Sequence, residues 1–523
     1  MRDLMARLNV FLQSELGLRT VGITALVVLI TAAASIGAND QPDLAGPLAG
    51  TDDAFVSSED TEETDEPTEN NDPSGGRSDV PDIGDTPSRT APPLNYDVVD
   101  ANFGLRTQGI TKDTVKVGFS YNQAACGDSG ALQAALGAAT VGDFEKSIHA
   151  FARHINETGG IGGRKYTPEF FDDGGSGCPE KSLAAAVDMA DESKVFLAIP
   201  GLHVVSDYVI SKKVPVWGGR DDPASLQKYG ANGLQLLEPI KPTLEAWAAF
   251  GKHYLKTHTS QEPPCLIRIE TGASGNWDIP EKLLVDAMAS HGIKFRDIIV
   301  FKDDASTAQQ QATLIAIRAR DKGCQHVYFM AGNPIGLIFF TSAATQNNWF
   351  PHKWTFTSYT ALSDTDLAGG LMDPQQWENA VGLTIRVPEG KHPKTDNCKN
   401  IYRKYYPNDG QDGSAAVTIA CVTVLPTAEA MRRAIERTGV LNANTLLLGA
   451  DAIRDDFYYD AHVPMSYSFP GKDGPFRTRG FEHWTVVDWS VDEGKYLFPV
   501  FPCYYRTFKA NNGGCEDLRS KFK

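Results

Sequence analysis

Apolar and polar positions change rhythm three times along this chain. Thr20–Ala38 runs without a charge behind Met1–Arg19, which carries Arg2, Arg7 and Arg19. That order predicts an export signal or a single membrane anchor with its amino terminus inside, in residues 1–38. Ala32–Ala34 supplies small residues for signal cleavage, and no cysteine closes the run, which excludes a lipid-modified cysteine anchor. Residues 39–95 lose all periodicity and are rich in Asp, Glu, Thr, Ser, Pro and Gly. Such a stretch buries too little apolar surface to offset its ordering entropy and is expected to be a disordered acidic linker. Everything beyond it is expected outside the cytoplasm.

From Thr114 short apolar runs alternate with amphipathic stretches. Strands are expected at Val115–Ser120, Tyr166–Phe171, Val195–Ile199 and Val214–Trp217, with helices between them. Phe144, Ile148, Phe151 and Ile155 fall on one helical face, Lys181–Ser193 reads as a helix and so does His203–Ile210. The series then restarts, with strands at Cys265–Glu270, Asp297–Phe301, His326–Met330, Trp354–Thr357 and Val381–Val387. The intervening helices are Thr243–His258, Pro280–His291, Thr307–Asp321 and Gly336–Gln346. Two consecutive βαβ series predict an α/β fold with two similar lobes, each a parallel sheet covered by helices. Ser414–Arg437 adds a helix and Glu482–Trp489 a late strand, and the aromatic segment after Glu493 reads as irregular.

The chain has 523 residues and a formal net charge of −17, which divides unevenly. Residues 39–95 hold 15 acidic side chains against Arg77 and Arg89, so the folded part is only mildly acidic. No basic tract interleaved with aromatics occurs, and nucleic acid is not an expected partner. All eight cysteines (Cys126, Cys178, Cys265, Cys324, Cys398, Cys421, Cys503 and Cys515) lie beyond the apolar run. An even number in an exported chain predicts disulfides, and neither CxxC nor zinc spacing is present, so no metal site or cofactor is expected. Eight cysteines allow 105 pairings. The strand positions favour Cys126–Cys178 and Cys265–Cys324, and sequence proximity favours Cys398–Cys421 and Cys503–Cys515.

Two motifs invite other readings. Gly159-Gly-Ile-Gly-Gly163 follows a helix and precedes a strand, the reverse of a dinucleotide loop, and is read as a turn. Gly127-Asp-Ser129-Gly130 looks like a serine-protease nucleophile, but His and Asp precede that serine in the chymotrypsin order. The first histidine here is His149.

Ile110-Thr111-Lys112 before the first strand, followed by His154–Gly175 (HINETGGIGGRKYTPEFFDDGG), resembles the type I periplasmic solute-binding proteins of the branched-chain amino acid class. The residues that carry the likeness are Asn156, Gly159, Gly160, Ile161, Gly163, Asp172 and Asp173, and the order of elements extends it from about Gly109 to Trp489. The resemblance implies two doubly wound lobes joined by a three-strand hinge, with crossings near Pro239–Pro242, Arg386–Pro388 and Pro470–Gly474. Lobe 1 is then expected from 96–240 and 387–470, and lobe 2 from 241–386, with 471–523 as the end of lobe 2 and a carboxyl-terminal extension. It also implies a small-molecule ligand enclosed between the lobes and an ABC permease as membrane partner, the binding protein being a monomer.

Candidate site residues follow strand ends, where open α/β sheets bind ligands. Tyr121 and Asn122 follow the first strand, and His203 opens the helix after the third. Arg220, Asp221 and Asp222 follow the fourth, Arg220 offering a planar fork for a carboxylate. By the resemblance, leucine-binding members place Ser/Thr hydroxyls in these two loops, which here read Pro200-Gly-Leu-His-Val-Val-Ser206 and Gly218-Gly-Arg-Asp-Asp-Pro223. The family's acidic partner for the amino group is replaced by Thr357-Ser-Tyr359, and Trp277 stands where an aromatic closes over the ligand. Both recognition poles differ, so a larger or differently charged solute fits at least as well as an α-amino acid. The expected function is non-catalytic capture of a solute for an ABC-type importer. An extracellular sensor domain of the same fold is the alternative, and the chain carries no nucleophile elbow, HExxH or P-loop that would point to a hydrolase.

Overall fold

Thr114–Tyr121 forms β1 because Val115, Val117 and Phe119 recur at every second position and are all fully buried. The computed structural model describes residues 106–121, 143–174, 179–199, 203–218, 233–234, 240–255, 262–270, 281–302, 307–330, 335–357, 366–386, 396–453, 483–501, 503–506 and 516–517. The expected leader or anchor and the acidic linker lie outside them. Among the described residues no helix is long and apolar enough to cross a membrane.

Helix α1 (Phe144–Glu157) starts at Asp143, whose carboxylate accepts the Lys146 N–H, and buries Ile148, Phe151 and Ile155 on the face their spacing predicts. It ends in the glycine-rich turn. Gly160 has φ +63°, and a Cβ there would lie 2.2 Å from the Arg164 carbonyl oxygen, so the tight return to the next strand requires glycine. Asn156 bridges this turn. Its amide accepts from the Tyr166 N–H at 2.7 Å and donates to the Tyr166 carbonyl at 3.1 Å, which fixes the helix end against β2 (Lys165–Asp172).

After β2 come α2 (Pro179–Val187), β3 (Leu197–Ile199), α3 (His203–Ser211), β4 (Val216–Trp217) and β5 (Gly233–Leu234). All pairings in this first sheet are parallel and its order is β2-β1-β3-β4-β5. The helix expected at Lys181–Ser193 widens into a π turn at Asp188–Glu192.

The second series begins with α4 (Ile240–Phe250), which also passes into a π turn, Gly251–Leu255. Ile240–Pro242, expected within the first crossing, already belong to this helix. Proline is tolerated there because the first-turn N–H groups have no intrahelical acceptor. Then follow β6 (Cys265–Glu270), α5 (Glu281–Ser290), β7 (Asp297–Lys302), α6 (Ala308–Asp321), β8 (His326–Met330), α7 (Ile335–Gln346), β9 (Lys353–Thr357), two short helices, α8 (Asp366–Leu371) and α9 (Pro374–Trp377), and β10 (Ala380–Thr384). The parallel part of the second sheet runs β7-β6-β8-β9-β10. In order of appearance that is second-first-third-fourth-fifth, the same winding as the first sheet. The doubled series expected from the sequence is therefore a doubled topology.

Helices α10 (Asn397–Tyr405), α11 (Ala415–Thr438) and α12 (Ala443–Asp451) return the chain to the first sheet's side. Tyr166 Oη lies 3.0 Å from Thr427 Oγ1, and Arg432 donates to the Gly160 carbonyl at 2.9 Å. α11 and α12 touch backbone to backbone, since a Cβ on Gly449 would lie 2.0 Å from the Ala430 carbonyl oxygen. α10 is tied to α1 through Lys404–Glu157 at 2.6 Å, and the loop after α10 through Lys146–Asp409 at 2.6 Å. Lys404, Tyr405 and Arg153 together hold the exposed Glu157 carboxyl down at about 2.

The segment after Glu493, expected to be irregular, instead extends the second sheet. β11 (His483–Ser490) pairs antiparallel with β10. β12 (Lys495–Leu497) and β13 (Cys503–Arg506) pair antiparallel with β11, and β14 (Glu516–Asp517) with β13. Buried Tyr496 stacks edge to face on Trp489 of β11, 5.0 Å away, so an aromatic expected in irregular chain is sheet core. Cys265–Cys324 and Cys398–Cys421 are disulfides, as expected, with Cα atoms 5.6 and 5.8 Å apart. Cys503 is also disulfide-bonded, while Cys126, Cys178 and Cys515 lie outside the described residues.

Candidate ligand-binding site

Parallel strands send all their carboxyl ends to one edge, and in a doubly wound sheet the connections leave in opposite directions on the two sides of the switch point. That leaves a crevice outside the strand ends. In the first sheet the switch lies between β1 and β3, ending at Tyr121 and Ile199; in the second it lies between β6 and β8, ending at Glu270 and Met330.

Tyr121 stands at the first switch point. Its half-buried ring lies 5.7 Å from Phe144 and edge-on to Phe170 at 6.0 Å, centroid to centroid. Phe170 in turn contacts Phe119 and the His149 ring, so Tyr121 belongs to an aromatic cluster rooted in the core. That packing limits its rotamers and presents a phenol on a rigid base. His203, the first residue of α3, stands just beyond the other side of the same switch point.

Asp172 and Asp173, the paired carboxylates of the sequence motif, brace this edge. Asp172 is 2.5 Å from the Lys181 ammonium and accepts the Gly174 N–H at 3.0 Å. Asp173 is 1% exposed, accepts from Ser120 Oγ at 3.0 Å, and donates its N–H to the Tyr121 carbonyl at 3.1 Å. Its own carbonyl accepts from Ser182 Oγ at 2.7 Å. The end of β2 is thus fastened both to the end of β1 and to the start of α2. Ser120 and Ser182 do not stand out in the sequence, because a single serine in a strand or a helix start carries no pattern.

Of the expected site residues, Tyr121 ends β1 and His203 opens α3, on the two sides of the first switch point. Asn122, Arg220, Asp221, Asp222, Trp277 and Tyr359 lie outside the described residues. The strands before them end at Tyr121, Trp217, Glu270 and Thr357, each at the carboxyl edge of its sheet.

The likeness to known proteins agrees with this architecture. The family model of the periplasmic binding protein matches residues 128–456, more than half of the chain. The chain belongs to the periplasmic binding protein family. The resemblance drawn from the glycine turn and the Asp-Asp strand end therefore holds. Among solved structures, a branched-chain amino acid ABC transporter protein from Thermus thermophilus with bound valine is 14% identical with TM-score 0.57, over 75% of this chain and 96% of that one. A fatty acid ABC transporter substrate-binding protein from Thermomonospora curvata is 13% identical with TM-score 0.54, over 80% and 97%. The leucine-binding protein LivK from Thermotoga maritima is 13% identical with TM-score 0.52, over 74% and 98%. At these identities the likeness is one of fold. No curated protein matches the chain in sequence. The family places the folded part outside the cytoplasm, and its members are binding proteins rather than enzymes.

Proposed function

We propose that this periplasmic binding protein captures a small molecule between the switch-point edges of its two sheets and delivers it to an ABC-type importer in the membrane. The observation that carries the reading is the repeated second-first-third-fourth-fifth winding, which gives each sheet one crevice at its carboxyl edge. Lobe 1 comprises 96–240 and 387–470 and lobe 2 comprises 241–386, with the chain's end joining lobe 2. The three crossings between them form the hinge.

Tyr121, Asn122, His203 and the Arg220-Asp221-Asp222 loop serve the first lobe's side of the cleft, and Trp277 and Tyr359 the second. Closure buries the solute and is favoured only by the ligand's extra affinity for the closed form. Relatives of this fold include one with bound valine and one named for fatty acids, so the fold itself does not restrict the ligand to an α-amino acid. The loops after β3 and β4 offer an imidazole, a guanidinium and carboxylates in place of hydroxyls. A polar or aromatic solute bearing a carboxylate or amide suits that set.

Arg220→Ala and Tyr359→Ala are each expected to weaken solute binding about tenfold or more, equivalent to about 1.4 kcal/mol, without lowering the unfolding midpoint of the unliganded chain. Calorimetric titration of the full chain measures this, and unchanged affinity in both variants would overturn the site assignment.

A further inference from the structure

The edge of the second sheet opposite the proposed cleft gathers three donor side chains. Glu262 lies three residues before β6, His326 is the first residue of β8, and His352 immediately precedes β9. β9, β8 and β6 are consecutive neighbours in the sheet, so the topology brings their entry points together although 64 residues separate Glu262 from His326. One donor atom from each residue lies within 4.8 Å of the other two. Glu262 Oε2 and His326 Nε2 are 3.3 Å apart, and the two imidazoles meet edge to face with centroids 6.0 Å apart.

The backbone that carries this cluster is held independently of the cluster itself. The Cys265–Cys324 disulfide joins the start of β6 to the residue two before His326, with both sulfurs buried. The His352 N–H donates to the Gln325 carbonyl at 2.7 Å, which sets His352 beside His326. Trp349 Nε1 donates to the Cys324 carbonyl at 3.0 Å and anchors the loop that leads to His352. A site assembled on strand entries pinned in this way needs little reorganisation on binding.

The Glu262–His326 contact uses only one of the two imidazoles. A cation among the three turns both imidazoles into ligands and keeps the carboxylate as a counter-charge. Two nitrogens and one carboxylate oxygen form the donor set of borderline divalent ions, whereas magnesium and calcium favour oxygen alone. Metal–nitrogen bonds of about 2.0–2.1 Å in a tetrahedral shell place ligand atoms about 3.3 Å apart. The Glu262–His326 pair is already at that separation, and His352, exposed like Glu262, reaches it by side-chain rotation.

We propose that Glu262, His326 and His352 form a mononuclear site for a borderline divalent cation of the zinc class, with one position left to solvent. The ion ties together the entries of three adjacent strands, on the edge away from solute capture. Spacing along the chain gives no sign of the site, because each ligand comes from a different strand entry.

The test is titration of the full, untagged, oxidised chain with Co²⁺ after chelator treatment, followed by visible absorption. One Co²⁺ per chain is expected, with the intense bands of a four- or five-coordinate ion, and Zn²⁺ should displace it. His352→Ala and Glu262→Gln, both at exposed side chains, should each weaken binding by at least about tenfold and change those bands. Their unfolding midpoints without metal should match the parent's. Unchanged bands and affinity in both variants, or no such band at saturating Co²⁺, would overturn the site.

Discussion

Replacing Cys265 and Cys324 together by alanine lowers the stability of the oxidised chain by about 4 kcal/mol. The bridge closes a loop across 59 residues of separation, and the entropy it removes from the unfolded chain grows with the logarithm of that length. The same change at Cys398 and Cys421, 23 residues apart, costs less, about 3.5 kcal/mol. Both pairs are buried, so alanine leaves comparable voids and the ranking reflects loop length. The first bridge also ties β6 to the entry of β8, the two strands that flank the second switch point. Its loss should therefore loosen the strand-entry edge, opposite the switch point, before the rest of the sheet. Denaturant unfolding of the two double variants beside the parent measures the order, and a first pair that costs no more than the second would contradict it.

Asp173→Ala is expected to cost about 2 kcal/mol, the scale for leaving a buried hydrogen-bond donor unsatisfied. Asp173 is 1% exposed and Ser120 4% exposed, so no bulk water stands ready to replace the lost acceptor. Asp173→Asn keeps an acceptor oxygen toward Ser120 and should lose markedly less. Ser120 directly precedes Tyr121, so the alanine variant should also weaken solute binding, by freeing the end of β1 where the phenol stands. Thermal unfolding and calorimetric titration of the pair of variants separate the two effects. Equal stability of the alanine and asparagine forms would remove the bracing role assigned to Asp173.

Much of this fold is legible in the sequence because its elements are locally over-determined. Phe144, Ile148, Phe151 and Ile155 keep one helical face, and β6 and β8 run over the stretches expected, Cys265–Glu270 and His326–Met330. The glycine turn is legible for a backbone reason, since Gly160 and its neighbours adopt positive φ. The elements that escape notice have weaker local signals. α12 starts at Asn442 with a reciprocal bond from Thr445, a cap without the usual acidic partner three residues on. β12 to β14 are two to four residues long and interrupted by proline and glycine. Pairing of β12 and β13 with β11 and of β14 with β13, and burial of Tyr496 and Tyr504, rather than any alternation of their own, make them strands. Nothing in Asp188–Glu192 or Gly251–Leu255 announces the π turns that follow α2 and α4.

The site follows the same division. Strand order makes the ends of β1, β3, β4, β6 and β9 the places to look, and the sequence alone is enough to name the residues that follow them. What those residues contact depends on long-range assembly. The bracing of Tyr121 by Ser120 and Asp173 joins positions 53 residues apart, and the Glu262–His326–His352 group spans three strand entries. No window along the chain holds either constellation.

Capture of a solute by a closing cleft is tested most directly by thermal unfolding of the full oxidised chain against amino acids, amides, aromatic acids, fatty acids and polyols, with the solute assayed afterwards. A solute class that raises the midpoint and is recovered chemically intact is the predicted result. At 100-fold its dissociation constant it adds about 2.7 kcal/mol. A midpoint unmoved across the whole panel, or a solute returned as a reaction product, would contradict it.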